Sequence, residues 1–169
     1  MKILWKNLDD TIKILGIDPG SVKTGYGLIQ YSRKRSIYID SGCIKLNTKK
    51  SISERLLILS IELGRLIKDF KPDCSAVEKI FYAKNAQSAL TLGHARGVIL
   101  LKLTENKLPI NEYSPLQIKQ TVVGVGRADK NQVKHMVKIL LNLQKILQED
   151  EADALAVAIA CAHLENKIF

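Results

Sequence analysis

The sequence predicts an α/β protein built on a mixed five-stranded sheet flanked by helices. Three features point there. Three runs of strand character follow one another between Ile12 and Ile44, a long helical run comes next, and from Cys74 onward strand-type and helix-type segments alternate. Consecutive strands joined by short turns read as an antiparallel meander, and the later alternation gives the sheet its mixed direction.

The first strand spans about Ile12–Asp18 and breaks at Pro19-Gly20, a turn signal that leads into a second strand, Thr24–Tyr31. Asp18 therefore ends a strand near the middle of the sheet, beside glycines that allow a phosphate or metal to come close. An isolated Asp-Pro-Gly is most simply a solvated turn, so Asp18 gains meaning only from the acids further along. Ser36–Ile44 is the third strand. Ser51 and Glu54 form a capping box for an amphipathic helix over Ser51–Asp69, with Leu56, Leu59, Leu63, Leu66, Ile67 and Phe70 at helical spacing and Pro72 as the stop.

Cys74–Ile80 is a short buried-type strand that contains Glu78. Asn85 is placed to cap a helix reaching about Glu105, whose Ala86–Gly97 half is rich in small residues. Pro109–Tyr113 is the fifth strand, and Ser114-Pro115 starts a brief helix with Pro at a favoured position. Val123–Ala128 is a glycine-bearing loop. Asp129–Leu141 is a helix with Val133, Met136, Val137 and Leu140 inward, and the last helix runs from about Glu149 to His163.

At 169 residues and 46% hydrophobic content, the chain is expected to form one domain over 12–169, preceded by a short extension, 1–11. The net charge of +9 favours an anionic partner, most often nucleic acid. Cys43, Cys74 and Cys161 are scattered, which suits reduced core thiols in a cytoplasmic protein rather than a zinc site or disulfide frame. No secretory h-region or run of transmembrane length is present.

Four acids stand out. Asp18 ends strand one, Glu78 sits in a strand where Glu is disfavoured and needs a lysine or a metal as partner, and Asp150 and Asp153 share a face in the first turn of the last helix. The macrodipole alone also favours acids at that turn. Carboxylates converging without His or Cys clusters suit hard cations, Mg²⁺ or Mn²⁺. Two such ions about 4 Å apart activate a water and stabilise the leaving oxygen of a phosphodiester.

The stretches GIDPGSVKTGYG, VEKIFYAKNAQSALTLGHARG, KQTVVGVGRADKNQVKHMV and EDEADALAVAIACAH closely resemble the RuvC family of bacterial Holliday-junction resolvases, colinearly over about residues 13–165. The resemblance implies a ribonuclease-H-like fold and a structure-selective endonuclease that resolves four-way DNA junctions by paired symmetric nicks. It implies that Asp18, Glu78, Asp150 and Asp153 hold divalent metal, that Phe81 contacts bases at the crossover, and that Lys119 and Lys130 lie near the scissile strand. It further implies a homodimer, a thymine-containing cleavage site and junctions delivered by a RuvA–RuvB branch-migration complex.

Lys130, Lys134 and Lys138 recur every four residues along one helix side, a pattern usually no more than a solvated face. With Gly124, Gly126 and Arg127 just ahead of them, they could instead track phosphates, which adds Arg127 and Lys134 to the DNA-binding set. His94, His135 and His163 are isolated and read as packed or surface residues. Two other functions compete with a nuclease. An ATP-binding phosphotransferase of the actin and sugar-kinase type shares the strand-one Asp-x-Gly turn, but needs two such domains. A non-catalytic junction binder would have no use for four intact carboxylates. A C₂ dimer through the small-residue stretch Ala86–Gly97 is expected, against the alternative that this face packs inside one subunit.

Overall fold

The computed structural model describes residues 11–32, 34–80 and 86–165. Its elements are β1 (Ile12–Asp18), β2 (Lys23–Ser32), β3 (Arg35–Lys45), α1 (Ile52–Phe70), β4 (Cys74–Glu78), α2 (Ala86–Glu105), β5 (Ile110–Tyr113), α3 (Pro115–Val123), α4 (Lys130–Leu140) and α5 (Glu149–Glu165). The order across the sheet is β3-β2-β1-β4-β5. β1–β2 and β2–β3 are antiparallel, and β1–β4 and β4–β5 are parallel. This is the mixed five-stranded sheet expected from the sequence, with β1 at its centre.

Strand alternation divides the core in two. On one face Ile12, Ile14, Ile29, Tyr31, Cys74 and Ala76 pack against α3, α4 and α5. On the other, Leu15, Ile17, Leu28 and Val77 meet Leu59, Leu63 and Ile67 of α1 and Ala95, Ile99 and Leu103 of α2. Ile14, Ile17, Leu28 and Ile159 are fully buried, each burial contributing about 1.5–3 kcal/mol. α5 is buried from Glu151 to Ala162 except at Asp153, because the sheet lies on one side and α3 and α4 on the other. That explains a helix apolar almost all round.

Local signals hold where they were read. Ser51 and Glu54 complete the capping box of α1, and the helix ends at Lys71 in a left-handed conformation just before Pro72. Ser114 with Gln117 and Asp129 with Gln132 form two further capping boxes, for α3 and α4. Gly124 ends α3 at φ 86°, a conformation that favours glycine, and so turns the chain toward α4. β4 stops at Glu78, two residues short of the expected strand end. Asn85, the expected cap of α2, lies outside the described residues. Among the described residues no helix is long and apolar enough to cross a membrane.

Candidate active site

Strand parity decides where the strand acids point. Ile12 and Ile14 face α5 while Leu15 and Ile17 face α1 and α2, so Asp18 falls on the α5 side. Cys74 and Ala76 face α5 and Val77 faces away, so Glu78 lies on that side too. Ile17 pairs with Val77 in the parallel ladder, which makes Asp18 and Glu78 neighbours at the ends of adjacent central strands. The first turn of α5 meets them there.

Asp18, Glu78 and Asp153 line a cavity of about 290 Å³ together with Lys119 from α3 and Lys130 from α4, over a floor that includes Ile118, Val133 and Ala156. Burial pushes the Asp18 carboxyl up to about 8, with the charges of Glu78, Asp153 and Asp150 adding to the effect. Burial and Asp153 likewise raise Glu78, against the pull of Lys119 and Lys130. A hydrogen bond between the two carboxyls adds to the rise at Asp18 and offsets part of it at Glu78. Asp153 is raised by burial and held down by Lys130, whose Nζ lies 3.7 Å from Asp153 Oδ2.

Asp150 stands apart. Three residues of helix leave it about 60° round α5 from Asp153, and it lines a neighbouring open cleft with Gly20, Ser21, Val22, Lys23, Gln148 and Glu149. Its Oδ2 is 4.0 Å from Lys23 Nζ and 3.8 Å from Cys43 Sγ. Asp150 is nevertheless close enough for its charge to raise the Asp18 carboxyl. Among the described residues no three His, Cys, Asp or Glu side chains already form a ready metal-ligand group.

Of the expected DNA-binding residues, Lys119 and Lys130 line the cavity, whereas Arg127 and Lys134 do not. Phe81 lies outside the described residues. None of the three histidines lines the cavity. The reading of three core thiols needs correction at Cys43, which is only half-buried and sits against the Asp150 carboxylate rather than in apolar surroundings.

Sequence reasoning missed Glu149, which accepts a hydrogen bond from Lys130, and Lys23 beside Asp150. It also missed Glu151, buried under the first turn of α5. The spacing of Gln148 and Glu151, helix start and third helical residue, was the available signal.

The family profile described as "Crossover junction endodeoxyribonuclease RuvC" matches residues 14–162. The chain belongs to the RuvC family. It is 52% identical over 152 residues to the crossover junction endodeoxyribonuclease RuvC of Syntrophotalea carbinolica, covering 90% of this chain and 94% of that one. It is 51% identical over 150 residues to the RuvC of Citrifermentans bemidjiense, with 89% and 92% covered. A solved structure of Thermus thermophilus RuvC in complex with Holliday junction substrate superimposes with a TM-score of 0.84 at 29% identity, over 89% of this chain and 93% of that one. The fold is therefore the ribonuclease-H-like one of RuvC, and the chain is a nuclease of that family.

Proposed function

We propose that this chain resolves four-way DNA junctions by paired symmetric nicks, using divalent-metal-assisted phosphodiester hydrolysis at Asp18, Glu78, Asp153 and Asp150. The observation that carries this is the convergence of Asp18, Glu78 and Asp153 on one cavity, where burial, with neighbouring carboxylates adding to it, raises all three above the usual carboxylate range. Carboxylates held together at that cost fit hard cations, and the donor set has neither imidazole nor thiolate on the cavity. Bound there, Mg²⁺ or Mn²⁺, as one or two ions, supplies Lewis acidity and a water of lowered pKa.

The protein's own part is positional. Asp18 and Glu78 sit on the ends of the central strands and Asp153 and Asp150 on α5, so both rigid layers fix the site. Lys119 and Lys130 give the cavity a cationic wall suited to the phosphates beside the scissile bond. Arg127 and Lys134, outside it, extend the basic surface along α4. Phe81, three residues after Glu78 in sequence, is the proposed base contact.

A junction is nearly two-fold symmetric, so two nicks call for two sites on a C₂ homodimer. The outer face of α2 supports this: Leu90 and Leu101 are exposed, and a Cβ on Gly93 or Gly97 would meet nothing within 4 Å. We take residues 12–169 as one cytoplasmic nuclease domain that receives junctions from RuvA–RuvB. Incubating purified protein with a synthetic four-way junction and a matched linear duplex, with and without Mg²⁺, tests the proposal. Symmetric Mg²⁺-dependent nicks in the junction alone are expected, and equal cutting of the duplex would overturn it.

A further inference from the structure

We infer that Glu151 is a positioning residue for the reaction. Together with Lys145, Ser41 and Tyr38 it fastens the start of α5 to β3, and so sets the direction of Asp150 and Asp153. The inference rests on the proposed role of those two aspartates and adds a group that touches neither metal nor DNA.

Glu151 is 8% exposed, and among the described residues no other charged side chain is so deeply buried. Each of its oxygens is engaged. Oε2 accepts from the backbone N–H of Gln148 at 2.8 Å, closing the helix start on itself. Oε1 accepts from Ser41 Oγ at 3.2 Å and lies 3.5 Å from Lys145 Nζ. Lys145 in turn donates to Tyr38 Oη at 2.7 Å and to Ser41 Oγ at 3.0 Å, with its ammonium 4.7 Å from the centre of the Tyr38 ring. Tyr38 and Ser41 are 3.2 Å apart, so the four groups form one connected set. It ties together β3, the segment before α5, and the first turn of α5.

Helix geometry turns this clamp into aim. Glu151 lies about 100° round α5 from Asp150 and about 160° from Asp153. A hold on its side toward β3 therefore keeps the opposite side, with Asp153, turned to Lys130 and the cavity. The sheet presses α5 along its length, and Lys23, Cys43 and Lys130 reach the acids themselves, whereas this set holds the side of the first turn that faces β3. A buried carboxylate costs free energy unless paired, so a well-packed apolar residue would serve mere stability as well. Fixing direction is what the charge and its geometry add.

The variants to make are Glu151→Gln, Lys145→Met and the two combined, alongside Asp150→Asn and Asp153→Asn. Lys145→Met leaves α5 itself unaltered, and the double change removes both charges while keeping an acceptor for the Gln148 N–H, which guards against misfolding of a single variant. Single-turnover nicking of a synthetic junction in Mg²⁺ should fall roughly 10- to 100-fold in the singles, the cost of a small misplacement of catalytic groups. Junction affinity without metal should stay unchanged. The rise in melting temperature on adding Mn²⁺ should shrink, and hydrogen exchange of amides 148–153 should quicken. Parental nicking per folded molecule, with or without a lower melting temperature, overturns the inference. If Asp150→Asn and Asp153→Asn also nick at the parental rate, the site reading itself has failed. If they lose nicking while the Glu151 and Lys145 variants keep it, only the positioning role has.

Discussion

A Cβ on Gly25 would lie 2.1 Å from the carbonyl oxygen of Asp150. Gly25 stands directly opposite Asp18 in the β1–β2 ladder. The same missing side chain thus lets the α5 start settle on the sheet beside the strand that carries Asp18. Gly25→Ala has no slack to use, because the atom it meets is backbone. Stability should drop by about 1–3 kcal/mol, as for an overpacked core, and nicking should fall with it. Urea unfolding and a junction assay check both, and an unchanged midpoint with full activity would show that α5 shifts freely.

Asp18 gives the metal-free protein a defined pH response. Its carboxyl moves from 3.8 to about 8 in the folded chain. Between those values the folded state holds a proton that the unfolded state has lost, so stability falls as pH rises through that window. Asp18→Asn, neutral throughout, should flatten this slope and melt no lower than the parent at pH 8, although it no longer cuts. Mg²⁺ should also flatten the slope in the parent. Melting curves from pH 4 to 8, with and without metal, decide the matter; a parental slope that rises with pH would refute it.

The mixed sheet, the three N-terminal strands, the α1 capping box and the positions of Asp18 and Glu78 were all legible in the sequence. These depend on short-range signals: Pro-Gly, Ser-x-x-Glu, and a Glu set among small apolar residues. The separation of Asp150 from Asp153 was not legible. Spacing by three puts two residues on one face, but the two line different clefts, which only packing decides. The same holds for Cys43, whose apolar neighbours in sequence say nothing of the helix laid across them. Lys145 carried no distinguishing signal in the sequence, yet its ammonium meets Tyr38, Ser41 and Glu151.

Lys130 is shared between Glu149 and Asp153 in the free protein. Glu149 thus competes with any phosphate for the same ammonium. Glu149→Gln should tighten junction binding, whereas Lys130→Ala should weaken it. Removing one lysine–phosphate pairing makes the log–log salt dependence shallower by about 0.9 on B-DNA. Titrations at several salt concentrations measure both effects. Equal affinities and slopes for parent and Lys130→Ala would mean that Lys130 meets no phosphate.

Gly93 offers the cleanest test of the dimer. It is exposed on α2, and a side chain there has open space within the subunit. Gly93→Leu should therefore leave the fold intact, and the gain in helix propensity can add up to about 1 kcal/mol to subunit stability. If the outer face of α2 is where two copies meet, the same leucine obstructs their approach. Sedimentation at micromolar concentration should then show monomer where the parent is dimeric. Junctions should accumulate with one strand nicked, because each monomer brings one site. A Gly93→Leu protein that stays dimeric and makes paired nicks would move the interface elsewhere. A parent that is monomeric yet still cuts in pairs would remove the symmetry argument altogether.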